Sequence, residues 1–153
     1  MTTTLEVPAD DPRLLALQVA LLAEMNALYD GTDETAPKPV ADGARYLLVV
    51  DDDGRALACG AIAPLHWPGA PASTGEVKRV YVDPSARGLG LGRSLMVSLL
   101  DLARRSGHDR LWLETGEPQE GAVALYERTG WQRIPSYGQY AHDPRTRCYE
   151  LVL

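Results

Sequence analysis

The stretch from Val80 to Met96, VYVDPSARGLGLGRSLM, constrains this chain more than any other. β-Branched and aromatic residues run through Asp83-Pro84 into a loop holding Gly88, Gly90 and Gly92, and a helical pattern follows at once. The first amides of such a helix have no partner inside it, and the positive end of the helix dipole lies there. Glycines leave those amides open to close approach, so the segment is shaped to hold phosphate oxygens. Arg87 and Arg93 add cationic donors on either side. The Walker pattern is absent. The dinucleotide pattern also fails, because the sixth position counted from Gly88 is Arg93.

Strands and helices alternate around this segment. Residues 3–7 read as a strand. Asp10, Asp11 and Pro12 open a helix with an acidic cap and a proline at its first position. Leu14, Leu17, Leu21, Met25 and Leu28 continue it to a stop at Asp30-Gly31. Residues 32–44 are irregular and suited to border a cleft. Residues 45–51 and 56–65 form a hairpin around Asp52-Asp53-Gly54. Strands are expected at 76–82, 110–114, 131–134 and 147–153, with helices at 91–106 and 119–129. The order predicts a mixed-sheet α/β (α+β) fold with a central antiparallel meander, not a doubly wound parallel one. A length of 153 residues suits a single domain over 1–153.

The net charge of −6 speaks against a nucleic-acid partner, which needs a basic stripe. It does not exclude an anionic small ligand, which feels local charge. The apolar run at 14–22 is interrupted by Gln18 and is too short to span a bilayer. Residues 1–10 lack the basic flank and apolar core of a signal peptide. A cytoplasmic protein with no membrane partner is expected. Cys59 and Cys148 sit in apolar strand settings and read as core thiols rather than a nucleophile or a bridge. His66, His108 and His142 are scattered, and no metal site is expected.

Arg87-x-x-Gly90-x-Gly92 matches the pattern Gln/Arg-x-x-Gly-x-Gly/Ala, and QEGAVALYERTGW (119–131) resembles NxxAxxLYxxxGF. These are the two signatures of the GNAT superfamily of N-acetyltransferases, which the chain resembles over 46–153. GEVKRVYVDPSARGLGLG, LETG and ALYERTGW together look like its bacterial stand-alone members. Two departures stand out. Gln119 replaces the asparagine that opens the second signature, which alters a contact to the CoA arm. Trp131 replaces a phenylalanine, a conservative core change.

The resemblance implies a mixed, mostly antiparallel sheet of six or seven strands, splayed between the fourth and fifth, with flanking helices. It implies acetyl-CoA as cosubstrate and direct attack by an amine in a ternary complex. By resemblance, the backbone of Val80, Tyr81 and Val82 pairs with the pantetheine arm, and one of its N–H groups polarises the thioester carbonyl. Arg87, Gly88, Leu89, Gly90, Leu91, Gly92 and Arg93 hold the diphosphate, and Gln119 and Tyr126 face the cofactor. One of Arg104 and Arg105, at the end of the same helix, reaches the adenosine 3′-phosphate.

Tyr126 is the candidate general acid for the departing thiolate. The plainer reading is packing, since it shares a helix face with Ala122 and Leu125. Glu76, eleven residues before Arg87, is the candidate general base and matches the base of the histone-acetylating branch. The plainer reading is a strand acid paired with Lys78 or Arg79. Alternation puts Glu76, Lys78, Val80 and Val82 on one face unless a bulge intervenes. Tyr29, Trp67, Thr115, Gly116, Tyr137 and Tyr140 either surround the acceptor channel or simply pack.

The leading expectation is a small-molecule amine acceptor. The alternatives are protein lysine or N-terminal amines, or a non-catalytic acetyl-CoA-binding sensor. The sequence is compatible with a monomer or a homodimer.

Overall fold

Asp11 starts the first helix by accepting from the amides of Arg13 and Leu14, with Pro12 following it. The computed structural model describes residues 1–29 and 36–153. The elements are β1 (Thr2–Val7), α1 (Pro12–Leu28), β2 (Arg45–Asp51), β3 (Ala56–Pro64), β4 (Thr74–Val82), α2 (Leu91–Arg105), β5 (Arg110–Gly116), α3 (Glu120–Arg128), β6 (Gln132–Ile134) and β7 (Thr146–Val152). A short 3₁₀ turn, Pro84–Ala86, joins β4 to the glycine loop. Helix α1 closes at Leu28 with Tyr29 as its C-cap. The stop expected at Asp30-Gly31 and the first part of the irregular stretch lie outside the described residues.

The seven strands form one sheet in the order β1-β2-β3-β4-β5-β7-β6. Among the described residues only β4 and β5 pair in parallel; the other neighbours are antiparallel. A parallel pair needs a crossover, and α2 supplies it. Leu91, Leu95, Leu99 and Leu102 recur along its buried face. Gly107, at φ 89°, ends it as the left-handed residue of a Schellman turn, with the His108 amide returning to the Ala103 carbonyl.

Each face of the sheet carries its own core. On one, α2 and Tyr126, Trp131 and Tyr149 pack over Leu47, Val49, Ile62, Val77, Leu111 and Leu113. On the other, Leu14 and Leu17 of α1 pack over Tyr46, Leu48, Val50, Cys59, Ala61 and Tyr81. Simple alternation fails within β4. Cys59 pairs with Tyr81 but Ala61 pairs with Lys78, so Gly60 alone opposes both Arg79 and Val80. Arg79 takes φ 58° at this bulge, where a non-glycine residue is strained by roughly 1–2 kcal/mol. Glu76, Lys78 and Tyr81 therefore share the α1 face, whereas Val77, Val80 and Val82 share the α2 face. The expectation that Glu76 and Lys78 lie with Val80 and Val82 is corrected by this one extra residue.

Gly60 also lets α2 approach the sheet: a Cβ there would lie 2.8 Å from Leu99 Cδ1. Leu99 is fully buried. In urea melts, Leu99→Ala is expected to cost about 2–5 kcal/mol from the cavity it leaves. Gly60→Ala alone is expected to cost about 1–3 kcal/mol by overpacking. The double variant should cost less than the sum, because the shortened side chain makes room for the new methyl. Strict additivity would contradict the contact.

Candidate active site

Strands β4 and β5 pair only from Thr74 with Arg110 to Val77 with Leu113. Beyond that point they part. The outer edge of β5 stays paired with β7 as far as Gly116, so β5 is held on one side and open on the other. The opening is a cleft of about 950 Å³. Leu21, Glu24, Met25 and Leu28 of α1 line one wall, and Ala122, Leu125 and Tyr126 of α3 line another. The expected residues Glu76, Val80, Tyr81, Val82, Arg87, Gly88, Gly90, Leu91, Gly92, Arg93, Gln119 and Tyr126 all line it. Leu89 does not; its side chain is 74% exposed.

The glycine loop forms one end of the cleft. Gly88 and Gly90 have φ of 81° and 79°, and a Cβ added at either would meet nothing within 4 Å. Gly90 caps α2 without any side-chain hydrogen bond. The amide of Ser94 is the first to return to the loop, on the Gly90 carbonyl. Among the described residues, no acceptor is found for the amides of Gly88, Leu89, Gly90, Leu91, Gly92 or Arg93. Such a cradle fits a diphosphate. Arg93 is exposed and lines the cleft, with no ion pair among the described residues.

Arg87 is committed elsewhere. Its Nε donates to the Val82 carbonyl at 2.9 Å, and Nη2 donates to Glu24 Oε2 at 2.7 Å. Its guanidinium also lies 5.4 Å from the centre of the Tyr81 ring. The glutamate holds the guanidinium even more firmly protonated. Arg87 thus ties the loop to β4 and α1, and it occupies the Val82 carbonyl. Arg104 and Arg105 stand at the far end of α2, about 20 Å from the loop at 1.5 Å per residue. Arg105 pairs there with Asp101.

The parted strands form the other end. Tyr126 is 5% exposed, and burial pushes its hydroxyl up to about 12. Its ring meets Trp131 edge-on at 5.7 Å and Tyr149 at 5.9 Å. Among the described residues its hydroxyl has no hydrogen-bond partner. Trp131 is thus a core residue that fixes the ring of Tyr126. Gln119 donates from Nε2 to the Tyr29 hydroxyl at 3.0 Å, linking the start of α3 to the end of α1. Gly116 makes room for that hydroxyl, since a Cβ there would overlap it.

Glu76 is engaged through both oxygens. Oε2 accepts from the Tyr137 hydroxyl at 2.6 Å, and Oε1 lies 3.5 Å from Lys78 Nζ. Burial, and then the charge of Glu76, push Tyr137 far above the ordinary phenol range. Trp67 and Trp112 flank the Tyr137 ring at 6.2 and 5.1 Å. Tyr137 therefore packs over the site rather than standing open in it.

Sequence reasoning missed Glu114. It lines the cleft just past the last β4–β5 pair, and its Oε2 is buried with no hydrogen-bond partner among the described residues. Burial raises its carboxyl to about 7; Lys78 pulls it down and Glu76 pushes it further up. The signal was an acid alternating with leucines and a tryptophan in Leu111 to Glu114, on a strand next to the glycine-loop segment. Glu24 had no sequence signal, because its partner lies 63 residues away. Cys59 is buried, donates to the Arg79 carbonyl and is pushed up to about 12, far from a reactive thiolate. No group of three or more potential metal ligands occurs among the described residues. Among them, too, no helix is long and apolar enough to cross a membrane.

Comparison with known proteins points the same way. Residues 18–131 match the Acetyltransferase (GNAT) family. The chain is 39% identical over 131 residues to the IAA acetyltransferase of Azospirillum brasilense, a match covering 86% of this chain and 79% of that protein. It is 36% identical over 143 residues to the mycothiol acetyltransferase of Salinispora tropica, again over 86% of this chain, but it spans only 44% of that longer relative. The crystal structure of a candidate acyl-CoA N-acyltransferase from Klebsiella pneumoniae superposes with a TM-score of 0.82 at 34% identity, covering 100% of this chain and 98% of that one. With its sheet parted at β4 and β5 and a family match over most of its length, this chain belongs to the acetyltransferase (GNAT) family.

Proposed function

We propose that this protein is an N-acetyltransferase that moves the acetyl group of acetyl-CoA to a primary amine of a small molecule, by direct attack in a ternary complex. One observation carries the reading. Among the described residues, six consecutive backbone amides without acceptors close one end of a cleft whose other end holds a buried tyrosine and the half-buried Glu114, one carboxylate oxygen of which has no partner. An anion-binding cradle joined to an acid–base pair suits a phosphate-bearing acyl donor and an amine.

On this reading the amides of Gly88 to Arg93 take the diphosphate, with the Arg93 guanidinium beside them. The edge of β4 that β5 leaves open past Val77 lies along the pantetheine arm. Acetyl-CoA supplies the thioester carbon and a thiolate leaving group. The amine nitrogen forms its bond to that carbon as the C–S bond breaks. Glu114 accepts the proton the amine loses, and Tyr126 donates one to the departing sulfur. Glu114 suits the base better than Glu76, because both Glu76 oxygens are already engaged while Glu114 Oε2 is not. Glu76 then positions Tyr137 and Lys78. A mere sensor of acetyl-CoA has no need of a carboxylate oxygen and a tyrosine hydroxyl that both lack a partner among the described residues.

Thiol release from acetyl-CoA over a panel of amines tests the activity. With Glu114 raised to about 7, the carboxyl is protonated below that pH and cannot accept. kcat/KM should therefore climb as pH rises through about 7. Glu114→Gln should remove that step and lower kcat by about 10²-fold or more. Glu76→Gln should keep the step. Burial disfavours the charged form of Glu114, so folded-state stability falls as pH rises between the ordinary carboxyl range and about 7. Glu114→Gln should therefore melt no lower than the parent at pH 8, separating lost chemistry from lost fold. An unchanged pH profile in Glu114→Gln would remove Glu114 from the mechanism.

Tyr126→Phe keeps the ring packing and deletes a hydroxyl that none of the described residues bonds. It should lower kcat by about 10²-fold at unchanged melting temperature and acetyl-CoA affinity. Full turnover in this variant would exclude Tyr126 as the acid.

A further inference from the structure

Four ionisable side chains line the cleft where β4 and β5 part: Glu76, Lys78, Arg79 and Glu114. They are two carboxylates and two cations, and they are incompletely matched. Lys78 reaches Glu76 only at 3.5 Å and remains 43% exposed along its side chain. Arg79, displaced by the bulge, donates to the backbone carbonyl of Lys38, a neutral partner. Among the described residues no carboxylate lies within ion-pair distance of it. Glu114 has a buried oxygen with no partner among the described residues, and no ion pair with Lys78.

Register places these charges. Glu76 is opposite Trp112, the second-to-last pair before the strands separate. Lys78 and Glu114 each lie two residues further on, so they occupy facing lips of the gap on the same side of the sheet. Lys78 holds only its 3.5 Å pair to Glu76 on its own strand, and Glu114 has no ion pair among the described residues, so the two lips stay unbridged across an opening that a small molecule can span.

We infer that the acceptor is a free amino acid or close relative, a compact zwitterion whose ammonium meets Glu114 and whose carboxylate meets Lys78 and Arg79. This rests on the acetyltransferase reading and narrows it. An amine without a carboxylate leaves Arg79 with only a neutral carbonyl partner and Lys78 with only its long pair to Glu76. A polyamine adds positive charge beside them. A zwitterion matches a lining whose own charges sum to zero, and its charge-assisted hydrogen bonds satisfy both lips at once. A site built around a carboxylate rejects analogues that lack it, because its polar groups are then left without partners.

The test compares kcat/KM for free amino acids, their α-amides and their decarboxylated amines, at saturating acetyl-CoA. Calorimetry with acetyl-CoA is run on each protein. The best amino acid is expected to exceed its own amide and its decarboxylated amine by at least about tenfold. Lys78→Met should collapse that ratio towards one, and Lys78→Arg should restore most of it. Equal or faster acetylation of the carboxylate-free amines would overturn the inference while leaving the acetyltransferase reading intact. So would a ratio that survives Lys78→Met. Acetyl-CoA binding with no free amine turned over overturns it too, in favour of a macromolecular acceptor. Failure to bind acetyl-CoA at all strikes the underlying reading instead.

Discussion

Everything at this site depends on β4 leaving β5 after Val77. A parallel pair that zipped on to the ends of both strands would bury the edges that now face the cleft. Three features hold them apart. The bulge at Arg79 and Val80 breaks the alternation of β4 and strengthens its twist. Arg87 grips the Val82 carbonyl and anchors it to Glu24 of α1. On the other side, β7 keeps β5 straight through Gly116. Backbone strain at Arg79 persists because its neighbours hold it there: Cys59 bonds its carbonyl, and its guanidinium reaches the 36–44 segment.

The same economy runs through the loop. Unmade backbone hydrogen bonds are costly where water is excluded, yet here they face an open cleft and the positive end of α2. Water can satisfy them until an anion displaces it. Arg87, the cation that the resemblance aims at the phosphate, is held at the base of the loop by the Val82 carbonyl and Glu24. The aromatic stack of Tyr126, Trp131 and Tyr149 does comparable work behind the other end. It leaves the Tyr126 ring little freedom while its hydroxyl has no partner among the described residues.

The fold was largely legible in the chain itself. Continuous apolar runs on either side of Asp52-Asp53-Gly54 marked β2 and β3, and the leucine spacing of α2 between the glycine loop and Gly107 marked that helix. The glycine loop could be read because its chemistry lies in consecutive residues. What stayed hidden depends on contacts between distant segments. The β4 bulge is one example, since nothing in EVKRVYV distinguishes a bulged strand from a regular one. Face alternation beyond Lys78 therefore turned on a bulge that only the structure shows. The Glu24–Arg87 pair and the Gln119–Tyr29 bond link segments far apart in sequence, with no local pattern to announce them. Glu114 falls between these cases. Its acid among apolar neighbours was visible, but whether a partner would neutralise it was not.

The central claim is that the amides of residues 88–93 are the diphosphate cradle. Backbone amide NMR during titration with acetyl-CoA, alongside pantetheine acetylated at sulfur but lacking the diphosphate, tests it most directly. The account predicts that acetyl-CoA moves the Gly88, Gly90 and Gly92 resonances strongly, whereas the truncated thioester moves those of Val80 to Val82 and leaves the glycines in place. Binding of acetyl-CoA with the three glycine resonances unmoved would contradict it.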